Sequence, residues 1–458
     1  MNRALRIPWK DLALISPAVI LFLAMAGAGL RSGLFPDEMM NIYGYWREPW
    51  SKLLVSNLLF YEGGYRPAGA FFYRPLFDLA GFNPLPYRLV CFALLLTNLV
   101  LAYCLVRRLT ASPATASLST VLFAYNAYLA DLYYSSGTVY DLLCFACLAG
   151  AVLLYSAKRS KGRPGATLLA AIVALQIFGL NAKEMAAVLL VLLAGCELLF
   201  HPRAGRDFRA TVITAAIVSI GMYGRLLEVG GMAVNPAYRP SPDQAQNVLR
   251  VYVGLMFYNP PSASGAFVVS FVSALVLSVS LARRNHIRFA ALWALITPLP
   301  VLLISQRSLY VMYVPMLGVA MLAGSVLAAV LPARLKDGRS VLILPLACAA
   351  LLLPLHLRHR PEGLRGVTPD EPKVRSIVAL LDRQLPALPK GARVYVDEDP
   401  FANDDWILTR LFRLYYRDNT LVVDRRKQNS PGPAGHHYVL SLRDGPWSLS
   451  VTSGGGSR

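Results

Sequence analysis

Residues 34–88 read LFPDEMMNIYGYWREPWSKLLVSNLLFYEGGYRPAGAFFYRPLFDLAGFNPLPYR. The stretch lies between two long apolar segments and is itself polar, aromatic and charged. It opens on an acidic pair, Asp37 and Glu38, just past the apolar run Leu12–Leu30. It also carries Arg66, Arg74 and Arg88, each beside a proline or an aromatic ring. If the flanking runs cross a bilayer, this is a long loop on one membrane face, bringing acids, cations and rings together. That combination fits chemistry on a lipid-borne phosphate. Arginine binds phosphate oxygens bidentately, and a positioned carboxylate can take a proton. An Asp-Glu pair after a helix also occurs as a plain helix-end charge, and an interface arginine as an anchor. The loop alone leaves both readings open.

Composition settles the crossing. Of 458 residues, 55% are hydrophobic and 16% charged, with mean hydropathy +0.46; soluble chains carry roughly 25% charged residues. The fold class expected is an all-α polytopic membrane protein. Spans of about 20 apolar residues are found at Leu12–Leu30, Tyr87–Val106, Pro113–Leu132, Val139–Ala157, Ala166–Leu180, Met185–Phe200, Ala210–Leu227, Ala266–Ala282, Phe289–Ile304, Leu309–Leu331 and Val341–Leu357. That makes about 11 crossings. The first is read as an uncleaved helix. The net charge of +19 follows from topology: basic residues gather in alternate connections, which fall on one side if every segment crosses. The positive-inside rule makes that side cytoplasmic. The N-terminus is then inside; the loop with Asp37 and Glu38 and the C-terminus are outside. No long basic stripe marks a nucleic-acid partner. The six cysteines all lie in apolar runs and read as small buried residues.

Three further connections matter. Basic clusters on both flanks of Ala166–Leu180 and Met185–Phe200 put the turn Asn181-Ala182-Lys183-Glu184 on the outer side. A charged pair there is costly unless it is paired or faces a wet cavity. Met232–Ser264 reads as a polar external loop, with Arg239 and Arg250 within reach of a headgroup. Arg307 follows the ninth span and is either an anchor or a phosphate contact. Within the first loop, Trp46–Tyr61 has the spacing of an amphipathic surface helix.

From Arg358 charges rise and apolar runs shorten. Helices are expected at Val374–Leu385 and Trp406–Tyr416, and strands at Ala392–Val396, Leu421–Val423 and Tyr438–Leu442. This is a small α/β unit, 358–458, after a membrane domain, 1–357, whose first external loop is 31–86. Asp397, Glu398, Asp399, Asp404 and Asp405 read as solvated loop acids, with cation binding as the alternative. His436-His437 reads as a surface pair, and the SGGGSR tail as flexible.

The order of these features resembles a known family. FYRPLFDLAGFNPLPYRLVCFALLLTNLVLAYCLVRRLT looks like the YRPL…NPxxYRLxNxxLH-type region of the tetratricopeptide-linked transmembrane O-mannosyltransferases. LFAYNAYLADLYYSSGTVYDLLCFACLAGAVLLY resembles their third and fourth spans through Ser136, Gly137 and Asp141-Leu142-Leu143. NAKEMAAVLLVLLAGCELLF is similar to their Lys-Glu hairpin, and QRSLYVMYVPMLGVAMLAG to their late ERYLYLPSxG segment. These segments cover most of Pro36 to Gly324. The family belongs with the GT-C glycosyltransferases and protein O-mannosyltransferases. The resemblance implies inverting transfer of a sugar from a polyprenyl phosphate, with Asp37 and Glu38 on the base and acceptor side. It implies that Arg74, Lys183, Glu184 and Arg307 hold the donor phosphate or shape the site, with Tyr73 and Asp141 also shaping it. Arg66 joins the donor set on its charge and its place before a proline. The chain departs from the pattern in four places. Asp37-Glu38 stands where many tetratricopeptide-linked members have two aspartates. Gln306 stands where the family has an acid, the hairpin lacks its proline, and no tetratricopeptide repeats follow.

The enzyme reading therefore leads over two alternatives, a transporter or flippase of lipid-linked sugar and a non-catalytic scaffold. Internal repeats and broken mid-membrane helices would mark a transporter. The expected partners are a polyprenyl-phosphate sugar, membrane lipids, and a glycan, lipid or protein acceptor. No metal ligand set is read, and a divalent cation on the carboxylate pair stays open. Composition points to a bacterial chain, so the expected location is the inner membrane.

Overall fold

The computed structural model describes residues 9–59, 66–228, 242–259, 264–302, 308–330, 341–365, 367, 371–402, 406–428, 436, 438–443 and 448–453. The first long helix is α1 (Trp9–Ala26). The first loop then folds as α2 (Pro36–Trp46), α3 (Trp50–Leu59) and α4 (Ala70–Ala80). The bundle continues with α5 (Leu85–Thr110), α6 (Pro113–Ala124), the short α7 (Ala130–Tyr134), α8 (Val139–Arg159), α9 (Ala166–Ala182), α10 (Leu189–Phe200) and α11 (Arg209–Glu228). After it come α12 (Pro242–Met256), α13 (Gly265–Leu281), α14 (Asn285–Ile296), α15 (Leu299–Leu302), α16 (Tyr313–Val330) and α17 (Ile343–Arg365).

Each expected span overlaps helix, the ninth being divided between α14 and α15, and the helices are not equal in length. Among the described residues, four apolar helical stretches are long enough to cross a bilayer unaided: Asp11–Arg31, Leu85–Thr110, Ser136–Arg159 and Leu309–Val330. Pro113–Ala124, Ala166–Ala182, Arg209–Gly221 and Gly265–Leu281 are apolar but shorter. The last of the long four lies deepest, with 72% of its apolar window buried. Its glycines permit that. A Cβ on Gly324 would come within 2.9 Å of the Ser119 backbone nitrogen on α6. One on Gly318 would come within 2.6 Å of Ala290 and Ala294 backbone atoms on α14. Small residues at helix contacts let backbones approach where no hydrophobic drive separates helix from lipid.

Several expectations are corrected. The third span does not run to Leu132. α6 ends at Ala124, and Asn126 caps a new turn, accepting from the Tyr128 N–H at 2.9 Å and donating to the Met256 carbonyl at 3.1 Å. An asparagine amide that bonds nearby backbone competes with the helix ladder. The helix expected over Trp46–Tyr61 starts later, as α3 at Trp50, because the chain bends at Glu48-Pro49 after α2; residues 60 and 61 lie outside the described residues. Much of the expected loop Met232–Ser264 is helix α12, which buries Val248, Tyr252, Val253 and Met256. Arg239 lies outside the described residues.

The C-terminal part forms helices α18 (Glu371–Gln384) and α19 (Ile407–Tyr415) and strands β1 (Arg393–Glu398), β2 (Val422–Arg425), β3 (Tyr438–Arg443) and β4 (Ser448–Ser453). The sheet order is β2-β1-β3-β4. β1 runs parallel to β2 and β3, and β4 is antiparallel to β3. Val394, Tyr395 and Val396 are buried in succession, as a strand covered on both faces requires. α19 buries Leu408, Leu411, Phe412 and Leu414, one stripe at helical spacing. The expected surface pair is corrected at His436, which is buried and bonded to Asp424 at 2.7 Å. The loop acids are also engaged. Asp399 is buried against Arg425 at 2.8 Å, and Asp397 meets Arg426 at 3.2 Å. His437, Asp404, Asp405 and residues 454–458 lie outside the described residues. All six cysteines are free thiols.

Candidate functional site

The site forms where three helix ends meet. Arg88 stands in the first turn of α5, Asp141 in the first turn of α8, and Lys183 directly after α9. The loop helices α2 and α4 cover them. Asp37 and Glu38 occupy the first turn of α2, where the helix dipole favours carboxylates. Their burial differs.

Glu38 points inward and is fully buried, as is Arg88. The guanidinium grips the carboxylate with two bonds, Nη1 to Oε1 at 2.6 Å and Nη2 to Oε2 at 3.0 Å. Four more donors reach the same carboxylate. The Ser136 hydroxyl donates at 2.8 Å, the Ser135 hydroxyl at 3.1 Å and the Phe35 N–H at 2.8 Å, and the Ser136 N–H also donates. Arg88 also donates to the carbonyls of Ser32 and Gly33. A carboxylate so surrounded has its acceptor capacity filled. Its place is to fix α2 against the starts of α5 and α8.

Asp37, one residue earlier, is exposed. It borders Gly137, where an added Cβ would lie 3.8 Å from the Asp37 Cβ. Asp131, on α7, is the acid facing it. Burial pushes the Asp131 carboxyl above the usual range; a bond to Ser308 opposes this, and the charges of Asp37 and Asp141 add to it. A like charge nearby disfavours a second ionised carboxylate.

Behind this edge lies a floor of tyrosines. Tyr73 is fully buried; its ring stacks on Tyr45 with centroids 5.8 Å apart, and its hydroxyl donates to the Ser136 carbonyl at 2.7 Å. Tyr45 and Tyr140 share a hydroxyl contact of 2.9 Å, and Tyr140 donates to Asn41 at 3.1 Å. Arg74 lies on the far side of this layer. It donates to the carbonyls of Trp46 at 2.6 Å and Glu48 at 3.0 Å and pairs with Asp78 at 2.9 Å. A cation on the last carbonyls of α2 answers the negative helix end, so Arg74 holds the α2–α3 bend.

The expected Lys183–Glu184 pair is split between two partners. Lys183 is buried, donates to Asp141, and sits 5.1 Å from the Tyr310 ring centroid. Glu184 meets Arg66 at 3.6 Å, and both are partly exposed. The Arg66 guanidinium lies 5.0 Å from the Tyr140 ring centroid. Asp141 feels Arg66 and Glu184 as well as Lys183. One connected cluster therefore joins Asp37, Glu38, Arg66, Tyr73, Asp141, Lys183 and Glu184. Arg307 lies outside the described residues. Among those described, no three His, Cys, Asp or Glu side chains gather as a metal-ligand set.

Sequence reasoning missed Arg88 as the partner of Glu38, the two serines that complete its shell, and Asp131. Arg88 was visible as a charge at the start of an apolar helix, where a cation needs a counter-ion. Asp131 was hidden by reading the third span too long.

Residues 66–223 match the protein family described as dolichyl-phosphate-mannose-protein mannosyltransferase. No curated protein matches the chain. The fold is similar to that of ArnT from Cupriavidus metallidurans in a crystal structure bound to undecaprenyl phosphate. The two share 12% identity and a TM-score of 0.52, over 95% of this chain and 92% of that one. The apo-state structure of the same protein matches at 14% identity and a TM-score of 0.49, over 93% and 92%. At such identity the likeness is one of fold.

Proposed function

We propose that this chain, a GT-C-type membrane glycosyltransferase by its fold and its matched segment, transfers a sugar from a polyprenyl-phosphate donor to an acceptor hydroxyl or amine. The reaction takes place on the non-cytoplasmic face of a bacterial inner membrane and inverts the anomeric carbon. The acceptor attacks that carbon, the bond from carbon to phosphate oxygen breaks, and the acceptor's proton passes to Asp37. Polyprenyl phosphate leaves with the added negative charge. Arg66 and Lys183 stand where fixed cations would stabilise that charge as it grows. Arg74 and Arg307 belong to the same donor set by the family resemblance.

The observation that carries the assignment is the division of labour in the acidic pair. Six donors saturate Glu38, whereas Asp37 is exposed at the edge of the charged cluster. Of the two, Asp37 is therefore the base and Glu38 its support. The lipid class is supported by the similar proteins: the matched family is described by dolichyl phosphate, and the ArnT crystal structure is bound to undecaprenyl phosphate. The test is single-turnover sugar transfer from a polyprenyl-phosphate sugar by purified protein. Asp37→Asn should abolish transfer while leaving donor binding and the thermal midpoint unchanged. Transfer at the wild-type rate in Asp37→Asn would overturn the base assignment.

A further inference from the structure

At the end of the bundle opposite the site, the basic residues divide into two groups. Arg159, Arg206 and Arg209 are used internally. Arg159 pairs with Glu197 at 2.7 Å, Arg209 with Asp207 at 2.7 Å, and Arg206 donates to the Leu198 carbonyl at 3.0 Å. Lys158, Lys161 and Arg163 are exposed, and no acidic partner meets them among the described residues. All three line a cavity of about 390 Å³ at the start of α9, together with Leu154, Leu168 and Thr167. That volume falls within the range of small-ligand pockets, roughly 300–1,000 Å³.

The internal cations also shape the loop between α8 and α9. Arg159 Nη1 takes the Gly162 carbonyl at 3.2 Å, and Arg209 Nη2 takes the Pro164 carbonyl at 3.0 Å. Two acceptors flanking Arg163 are thereby used up by the protein. α9 then begins after Gly165 with no side-chain cap, so its first N–H groups and the positive end of its dipole add to the three side-chain charges. Leu154 and Leu168 supply an apolar wall from the facing helices.

We propose that this cavity binds the phosphate headgroup of an anionic phospholipid, from the leaflet at that end of the bundle. The three cations and the start of α9 take the phosphate, and the chains lie along the Leu154–Leu168 wall. A soluble phosphate would meet the same charges but has no use for that wall, so the lipid is the occupant. Basic pockets between membrane helices are a recognised way to hold such headgroups.

The test is lipid retention by the full-length protein in detergent, read by native mass spectrometry. The probes are dipalmitoyl phosphatidylglycerol, dipalmitoyl phosphatidylcholine and inorganic phosphate. Phosphatidylglycerol should be retained and phosphatidylcholine lost, and millimolar phosphate should not displace the former. The triple variant Lys158→Gln, Lys161→Gln, Arg163→Gln should weaken retention on the order of a hundredfold, about fivefold per cation. Thr167→Trp, which fills the cavity and keeps every charge, should also weaken it. The control Arg283→Gln, Arg284→Gln removes exposed cations elsewhere and should change nothing. The proposal fails if the triple variant binds as wild type does, if the control loses as much, if Thr167→Trp has no effect, or if phosphate displaces the lipid.

Discussion

The two ends of α8 each hold a buried arginine–glutamate pair, and the pairs do different things. Asp141 and Arg159 mark those ends, roughly 27 Å apart at 1.5 Å per residue. At one end Glu38 meets Arg88, and at the other Glu197 meets Arg159. Both glutamates are fully buried. Glu197 accepts from Arg159 at 2.7 and 3.1 Å, from the Tyr155 hydroxyl at 2.6 Å and from the Asp207 N–H at 2.8 Å. Judged as ion pairs, they are twins. The surroundings differ. Around Glu197 the acids Glu197 and Asp207 are both paired, and what is left over is exposed cation alone, Lys158, Lys161 and Arg163. Around Glu38 stand the exposed Asp37, the raised Asp131, and Asp141, whose Oδ2 has no hydrogen-bond partner. A buried ion pair is therefore no mark of a reaction. Acids left over beside one, with cations in reach, are.

The comparison breaks most visibly at Asp37. Loss of a general base costs on the order of 10² to 10⁴ in rate, and Asp37→Asn should show it in kcat, with an unchanged thermal midpoint. Glu38→Gln and Glu197→Gln come next. Each strands a buried guanidinium, which costs about 3–5 kcal/mol of stability. Denaturation in detergent should show similar losses for both. Transfer per folded molecule should fall only for Glu38→Gln, because only that pair holds the helix that carries the proposed base. Equal activity in the two variants would erase the distinction between the ends.

How much of this was readable without coordinates follows from range. The helices of the bundle were legible because a long run of apolar residues has few alternatives. The α/β tail was legible from short alternating runs. Its last strand, Ser448–Ser453, was not, because SLSVTS offers only two apolar residues and owes its place to pairing with β3. Asp37, Glu38 and Lys183 could be singled out because they are charges where charge is costly. Which of Asp37 and Glu38 turns inward could not, since the answer is held by Arg88, fifty residues on. Likewise nothing in the sequence shows that Arg74 bonds the last carbonyls of α2.

Lys183→Met gives a smaller and more selective effect. It leaves Asp141 buried beside an apolar chain, so the carboxyl should protonate instead of unfolding the helix ends. Apparent donor affinity is expected to fall by roughly tenfold, about the 1.4 kcal/mol that one such charge–phosphate contact supplies. Lys183→Met with Asp141→Asn should recover stability and not affinity. Recovery of both would make the pair structural, like Glu197 with Arg159.

The smallest effect is expected where the C-terminal unit meets α2. The Tyr43 hydroxyl accepts from Arg413 at 2.8 Å and donates to Asn419 at 2.6 Å. Arg417 lies 5.2 Å from the Phe77 ring centroid beside it. These contacts are part-buried, so water can replace them, and Tyr43→Phe should cost about 1 kcal/mol. The size matters less than what it adds to. Glu197 lies at the far end of the bundle, so Tyr43→Phe and Glu197→Gln should sum within about 0.5 kcal/mol. Tyr43 and Glu38 share α2, and its attachment at one point sets the strain at the other. Tyr43→Phe with Glu38→Gln should therefore depart from additivity by more than that margin. Additivity in both pairs would mean that the C-terminal unit sits on α2 without helping to hold it.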